Sequence, residues 1–97
     1  MSLTTADIAK AGRTTVRGVH IWEGKGLLGL VQRDRFGARE FTPAHIDRAK
    51  LIAAAQMAGM SLAEIKSTSA PAIAFNIAAA ISFMRGVVEK IDTDYDL

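Results

Sequence analysis

Cysteine is absent from the 97 residues, which excludes a disulfide framework and the thiolate ligands on which many metal sensors depend. A cytoplasmic location is the expectation. The longest apolar stretch, Ala70 to Met84, is interrupted by Asn76 and Ser82 and stops at Arg85, short of the ~20 residues that span a bilayer. It reads as a buried helix, and no membrane partner is expected. Met1 to Lys10 lacks the basic region and apolar run of a secretory signal. Catalytic sets are lacking as well, since Asp7, Glu23, Asp34, Glu40 and Asp47 are scattered among helix starts and basic neighbours, so an enzyme is not expected. His20 and His45 have no Cys or further His at ligand spacing, and neither a metal nor another cofactor is expected.

What is present is enough for one small core, because a chain of this size buries only about 60–70% of its unfolded surface and gains from a partner. The net charge of +2 is unevenly spread: residues 1–66 hold ten Lys or Arg against six acids, and residues 67–97 hold two against four. The basic side chains are densest at Arg33, Arg35 and Arg39. Such a cluster is either a solvated surface or the footprint of a polyanion.

The order of elements follows from periodicity and punctuation. Thr4 or Thr5 can cap a first helix running to Ala11, with Asp7 favourable in its first turn and Ile8 and Ala9 facing inward. Gly12 and Arg13 break it. Thr14 and Thr15 start a second helix with Val16, Val19 and either Ile21 or Trp22 inward, ended by Gly24 and Gly26. Two short helices across a short turn have the outline of a helix-turn-helix. Leu27 to Val31 and Glu40 to Thr42 are expected to be extended, flanking the polar stretch Gln32 to Arg39, which makes a hairpin with a basic loop. Thr42 and Pro43 start a third helix, on which Ile46, Ala49, Ile52, Ala53 and Met57 recur at helical spacing. Gly59 ends it, and Ser61 with Glu64 forms a capping box for a short fourth helix bearing Leu62 and Ile65.

From Ser67 the composition shifts to Ala and Ile. A last helix is expected from Pro71 to about Asp92, with Ile73, Ile77, Ala80 or Ile81, Met84, Val88 and Ile91 at steps of three and four, a short coiled-coil seam. Phe75 and Phe83 lie off that seam, on a face expected to pack back on the domain. The expected fold class is therefore mainly α: a winged helix-turn-helix over residues 1–66, and a dimerisation helix with a short tail over residues 67–97.

A helix that reads DNA needs polar or basic side chains near its N-terminus, where free N–H groups also meet phosphates. Thr14, Thr15, Arg17 and His20 supply them. A basic hairpin beside it can reach the flanking backbone or minor groove. The run Val16-Arg17-Gly18-Val19-His20-Ile21-Trp22-Glu23-Gly24-Lys25-Gly26-Leu27-Leu28 resembles the recognition helix and exit of the MerR family of transcription regulators, V-R-x-L-R-Y-Y-E-x-K-G-L-L. In the same register Ile8-Ala9-Lys10 resembles that family's first helix, Gly37-Ala38-Arg39-Glu40-Phe41-Thr42 its wing, and Gly59-Met60-Ser61-Leu62-Ala63-Glu64-Ile65-Lys66 its G-F-S-L-E-E-I-K segment. The resemblance covers residues 4 to about 66 without a gap.

The resemblance implies a double-stranded operator or promoter as partner, homodimerisation through the last helix, and RNA polymerase as a further candidate partner. The candidate DNA-contacting residues are Thr14, Thr15, Arg17, Gly18, His20 and Trp22 on the recognition helix and its approach, and Arg35, Arg39 and Phe41 on the wing. The candidate dimer residues are Ile73, Ile77, Ile81, Met84, Val88 and Ile91. Trp22 has a core reading of equal weight, with an indole N–H that can still meet a phosphate. His20 stands where arginine is usual, Ile21 and Trp22 replace paired tyrosines, and Ala38 replaces an aromatic. Little follows the dimer helix, so ligand-controlled switching is not expected of residues 1–97. Two other readings stay open: an architectural DNA-bending protein similar to excisionases, and a protein interaction module that keeps the fold.

Overall fold

The computed structural model describes residues 3–95, and side chains as far as Ile91. Its elements are α1 (Thr5–Ala11), α2 (Val16–Gly24), β1 (Gln32–Arg33), β2 (Arg39–Glu40), α3 (Pro43–Met57), α4 (Leu62–Ser67) and α5 (Ala70–Tyr95). The molecule measures 66 × 25 × 20 Å. Its length comes from α5, whose 26 residues extend for about 39 Å at ~1.5 Å per residue.

Each short helix starts on a side chain that satisfies otherwise orphaned N–H groups. At α1 the Thr4 hydroxyl accepts from the Asp7 N–H at 3.2 Å, and the Asp7 carboxylate accepts from the Thr4 N–H at 2.7 Å. These bonds favour the ionised form and hold the Asp7 carboxyl below its ordinary range. Ser61 and Glu64 repeat the arrangement at α4, both bonds being 3.1 Å, and Glu64 is lowered for the same reason. At α3 the returning group is an imidazole instead: His45 Nδ1 accepts from the Thr42 N–H at 3.0 Å. Its other nitrogen, Nε2, then carries the proton and donates to the Leu30 carbonyl at 2.9 Å, which ties the loop before β1 to α3.

The turn between α1 and α2 depends on an absent side chain. A Cβ at Gly12 would lie 2.5 Å from Trp22 Cζ3 and 2.7 Å from Cη2, closer than such atoms approach. Glycine therefore lets the indole close beneath the end of α1, and Arg13 reverses the chain at φ 53°. The core joins Ile8, Val19, Trp22, Leu27, Leu28, Phe41, Ile52 and Ile65 with Ile73 of α5.

Several expectations are corrected by this packing. The hairpin is shorter than expected, pairing only Gln32 with Glu40 and Arg33 with Arg39. Leu27 and Leu28 are both buried, which a half-buried strand with alternating faces does not allow, and Gly26 and Gly29 turn the chain on either side at φ 75° and 74°. On α2, Val16 and Ile21 face solvent, and Met57 of α3 is exposed. Phe75 and Phe83 do not pack back on the domain but stand exposed on α5. Ala70–Ile91 is 22 residues with mean hydropathy 1.5 in its most apolar window, long and apolar enough to cross a bilayer by length and composition alone, contrary to the sequence expectation.

Candidate nucleic-acid interface

The buried side of α2 is set by Val19 and Trp22. At 100° per residue the opposite side then carries Arg17, His20, Ile21 and Gly24, with Val16 on the flank beside Val19, all of them exposed. Among the described residues neither Arg17 nor His20 takes part in a hydrogen bond or ion pair. Thr15 is occupied as the helix cap, its hydroxyl accepting from the Gly18 N–H at 3.0 Å. Thr14 lies over Gly18, with its Oγ1 only 2.0 Å from where a Gly18 Cβ would stand. Gly18 thus makes room for the Thr14 hydroxyl at the entrance to the helix.

The wing is fastened to the last turn of α2 by one carboxylate. Arg39 Nε donates to Glu23 Oε2, and Arg33 Nη2 approaches Glu23 Oε1 at 3.4 Å. Arg33 Nη1 also donates to the Gly37 carbonyl at 2.9 Å, closing the hairpin across its own loop. Exposed pairs contribute about 0–1 kcal/mol each, so the value of this clamp is directional: it fixes where the wing points relative to the helix. At the tip, Asp34 Oδ1 accepts from the N–H groups of Phe36 at 2.8 Å and Ala38 at 2.9 Å. The Arg35 guanidinium sits 4.9 Å from the centre of the Phe36 ring, and that ring is 81% exposed.

The expected site residues separate into two groups. Arg17 and His20 lie on the solvent side of α2, Thr14, Thr15 and Gly18 at its entrance, and Arg35 at the tip of the wing. Trp22, 4% exposed, and Phe41, 6% exposed, belong to the core instead. Phe41 is held by an edge-on contact with His45, their ring centres 5.6 Å apart, and by a β-bridge to Leu3, so it presents no face to a ligand. For Trp22 one edge survives. Every buried side-chain nitrogen and oxygen among the described residues has a partner and the indole N–H has none, so that edge reaches solvent. Arg39 is half-buried against Glu23 rather than free. Arg48 of α3 donates through Nε to the Leu27 carbonyl at 2.8 Å.

The sequence reading missed Glu23, Phe36, Val16 and Ile21. The signal for Glu23 was an acid inside an otherwise basic stretch. For Phe36 it was an aromatic beside the loop glycine.

On α5, Ile73 is wholly buried in its own chain's core and cannot face a partner, and Ile77 is half-buried against that core. Ile81, Met84, Val88 and Ile91 are exposed along one side. Met57 of α3 and Ala58, which caps that helix, join Ile77, Ile81 and Met84 around an apolar groove beside them.

This arrangement of two helices, a clamped wing, two further helices and a projecting arm has known counterparts. The profile described as MerR HTH family regulatory protein matches residues 3–69. The chain belongs to the MerR family. The HTH-type transcriptional regulator CueR from two strains of Vibrio cholerae serotype O1 is 34% identical over 65 residues, which is 67% of this MerR-family chain and 47% of the relative. The chain thus spans about half the length of the curated relatives it matches. Among solved structures, HiNmlR, a MerR family regulator lacking the sensor domain and bound to promoter DNA, superimposes with a TM-score of 0.70 at 22% identity, covering 97% of this chain and 87% of that one. A MerR family transcriptional regulator from Bacillus thuringiensis gives 0.64 at 19% identity, covering 97% and 96%. Both show the same winged helix-turn-helix fold with a C-terminal helix.

Proposed function

We propose that this chain is a cytoplasmic transcription regulator that binds double-stranded DNA as a homodimer, with α2 in the major groove and the wing on the flanking duplex. The supporting observation is the solvent face of α2, where Arg17 and His20 have no partner among the described residues while the wing is held to the same helix by Glu23. Arg17 and His20 meet base edges, and Val16 and Ile21 supply apolar contacts suited to thymine methyl groups. Residues 1–66 carry the DNA surface. Residues 67–97 carry the dimer seam from Ile77 onward, with RNA polymerase as the further partner of the assembled complex.

The arm is read as a dimer helix rather than a membrane span. Arg85, Glu89 and Lys90 lie in the last third of Ala70–Ile91, and the uncharged part of the helix, residues 70–84, is short of the ~20 residues that span a bilayer.

Selection of bound fragments from random duplex, followed by competition against single-base variants of the selected site, tests the reading. His20→Ala is expected to reorder the preferred variants. Arg39→Ala is expected to weaken all of them alike, because a backbone contact carries no sequence code. Failure to select any site, or binding whose affinity does not change with salt, would remove the DNA reading.

A further inference from the structure

The wing tip combines three features that a solvated turn does not need. Phe36 is 81% exposed, although an isolated apolar ring at a hairpin tip gains nothing from water. Its backbone is pinned by the Asp34 carboxylate, which takes both the Phe36 and Ala38 N–H groups, with Gly37 at φ 83° completing the turn. The Arg35 guanidinium lies against the ring, so a cation and an aromatic face are presented together. Asp34 is spent on the turn, and no acid at the tip neutralises Arg35.

The base of the hairpin is fixed to α2 through Glu23, and Phe36 lies at the far end of the hairpin, inside the turn that the Gly37 N–H closes on the Asp34 carbonyl at 3.0 Å. The tip therefore projects from the recognition helix in a direction set by the clamp. A narrow, strongly negative groove attracts an arginine inserted into it. An apolar ring can part a base step there and kink the duplex.

We infer that Arg35 and Phe36 form a minor-groove wedge: the guanidinium enters the groove flanking the helix contact, and the Phe36 ring parts a flexible base step beside it. This rests on the DNA-binding reading above and adds a deforming contact to it. The occupant is duplex DNA because the ring is presented together with the Arg35 guanidinium, a cation that has no acid paired with it among the described residues. Pyrimidine–purine steps, which unstack most easily, are the preferred position.

The full chain is tested on the duplex selected above, with 2-aminopurine placed singly at each flanking step and dyes at the two ends. The wild-type protein is expected to raise 2-aminopurine fluorescence at one flanking step per half-site and to shorten the end-to-end distance. Phe36→Ala, which touches no core residue, is expected to keep its melting temperature and its order of preference among half-site variants. It should lose the fluorescence rise and the bend, and about tenfold in affinity. Phe36→Leu, still apolar, should retain part of the bend. Equal fluorescence, bending and affinity in wild type and Phe36→Ala overturn the wedge while leaving the DNA reading intact, and so does a loss confined to RNA polymerase recruitment. A wild-type chain that binds no duplex overturns both.

Discussion

Between Ile8 and Ile73 most of the large aliphatic side chains close on one another within the chain, Val16, Ile21, Leu30 and Met57 being the exposed ones, and even the indole of Trp22 is only 4% exposed. Beyond Ile77, α5 carries Ile81, Phe83, Met84, Val87, Val88 and Ile91 over three turns, all of them exposed. The two regions have similar side chains and opposite surroundings. Burial of such a side chain contributes about 1.5–3 kcal/mol, so the head, residues 3–69, together with Ile73 holds its own stabilisation, whereas in the proposed dimer the arm would gain its share from a second molecule. On that proposal folding and assembly fall to different stretches of one sequence and are separable by mutation.

The sharpest break in that comparison is expected from the arm. Ile81→Asp combined with Met84→Asp should yield monomers in sedimentation and lower operator affinity at least about a hundredfold, the order of gain from linking two sites, with the head still folded by circular dichroism. Ile77 is avoided because it also packs on its own core. Dimers that persist at micromolar concentration would show that another surface holds the assembly.

The complementary change in the head is next in size. Trp22→Ala should destabilise the monomeric head by about 3–5 kcal/mol in denaturant titration, as large-to-small core changes do. A loss below about 1 kcal/mol would mean that the indole is dispensable to the core.

These contrasts were partly legible before any coordinates. Helix starts were the clearest, because Thr4, Thr42-Pro43 and Ser61 with Glu64 act locally and each cap forms where the residues stand. Exposure on α2 and α3 was less so. Val16, Ile21 and Met57 are apolar at helical spacing, and periodicity alone cannot tell a residue facing the core from one facing a groove or a partner. The hairpin was misplaced because Leu27 and Leu28 fill the core from a loop, where no period applies. Glu23 was the largest omission, since its partners are Arg33 and Arg39 on another element and no local rule connects them.

Within the interface a smaller effect separates positioning from reading. Arg39→Ala should reduce the slope of log affinity against log salt by about 1 and leave base preference unchanged. Glu23→Gln, which releases both arginines from the clamp, should leave the slope as it is and lower affinity by loosening the wing. An equal fall in slope for both variants would contradict the distinction.

The smallest effect concerns the caps. Glu64 is held below the ordinary carboxylate range by its bonds to Ser61, so the stabilisation is complete above its unfolded value and is lost as pH falls through the lower folded one. The melting-temperature difference between wild type and Glu64→Gln is therefore expected to be constant near neutrality and to shrink below about pH 4. A difference that does not vary with pH would assign the cap's contribution to hydrogen bonding without charge.

The turn at the wing tip is closed by groups drawn from residues 34–38 themselves, with Asp34 bonding Phe36 and Ala38. Nothing in the core constrains which side chains follow Asp34. The clamp at Glu23 sets the aim and the turn sets the shape, so residues 35 and 36 form a replaceable cartridge. Substitution there can change what the wing touches without a cost in folding. Divergence among copies of such a gene would collect at these two positions before it reached the helix.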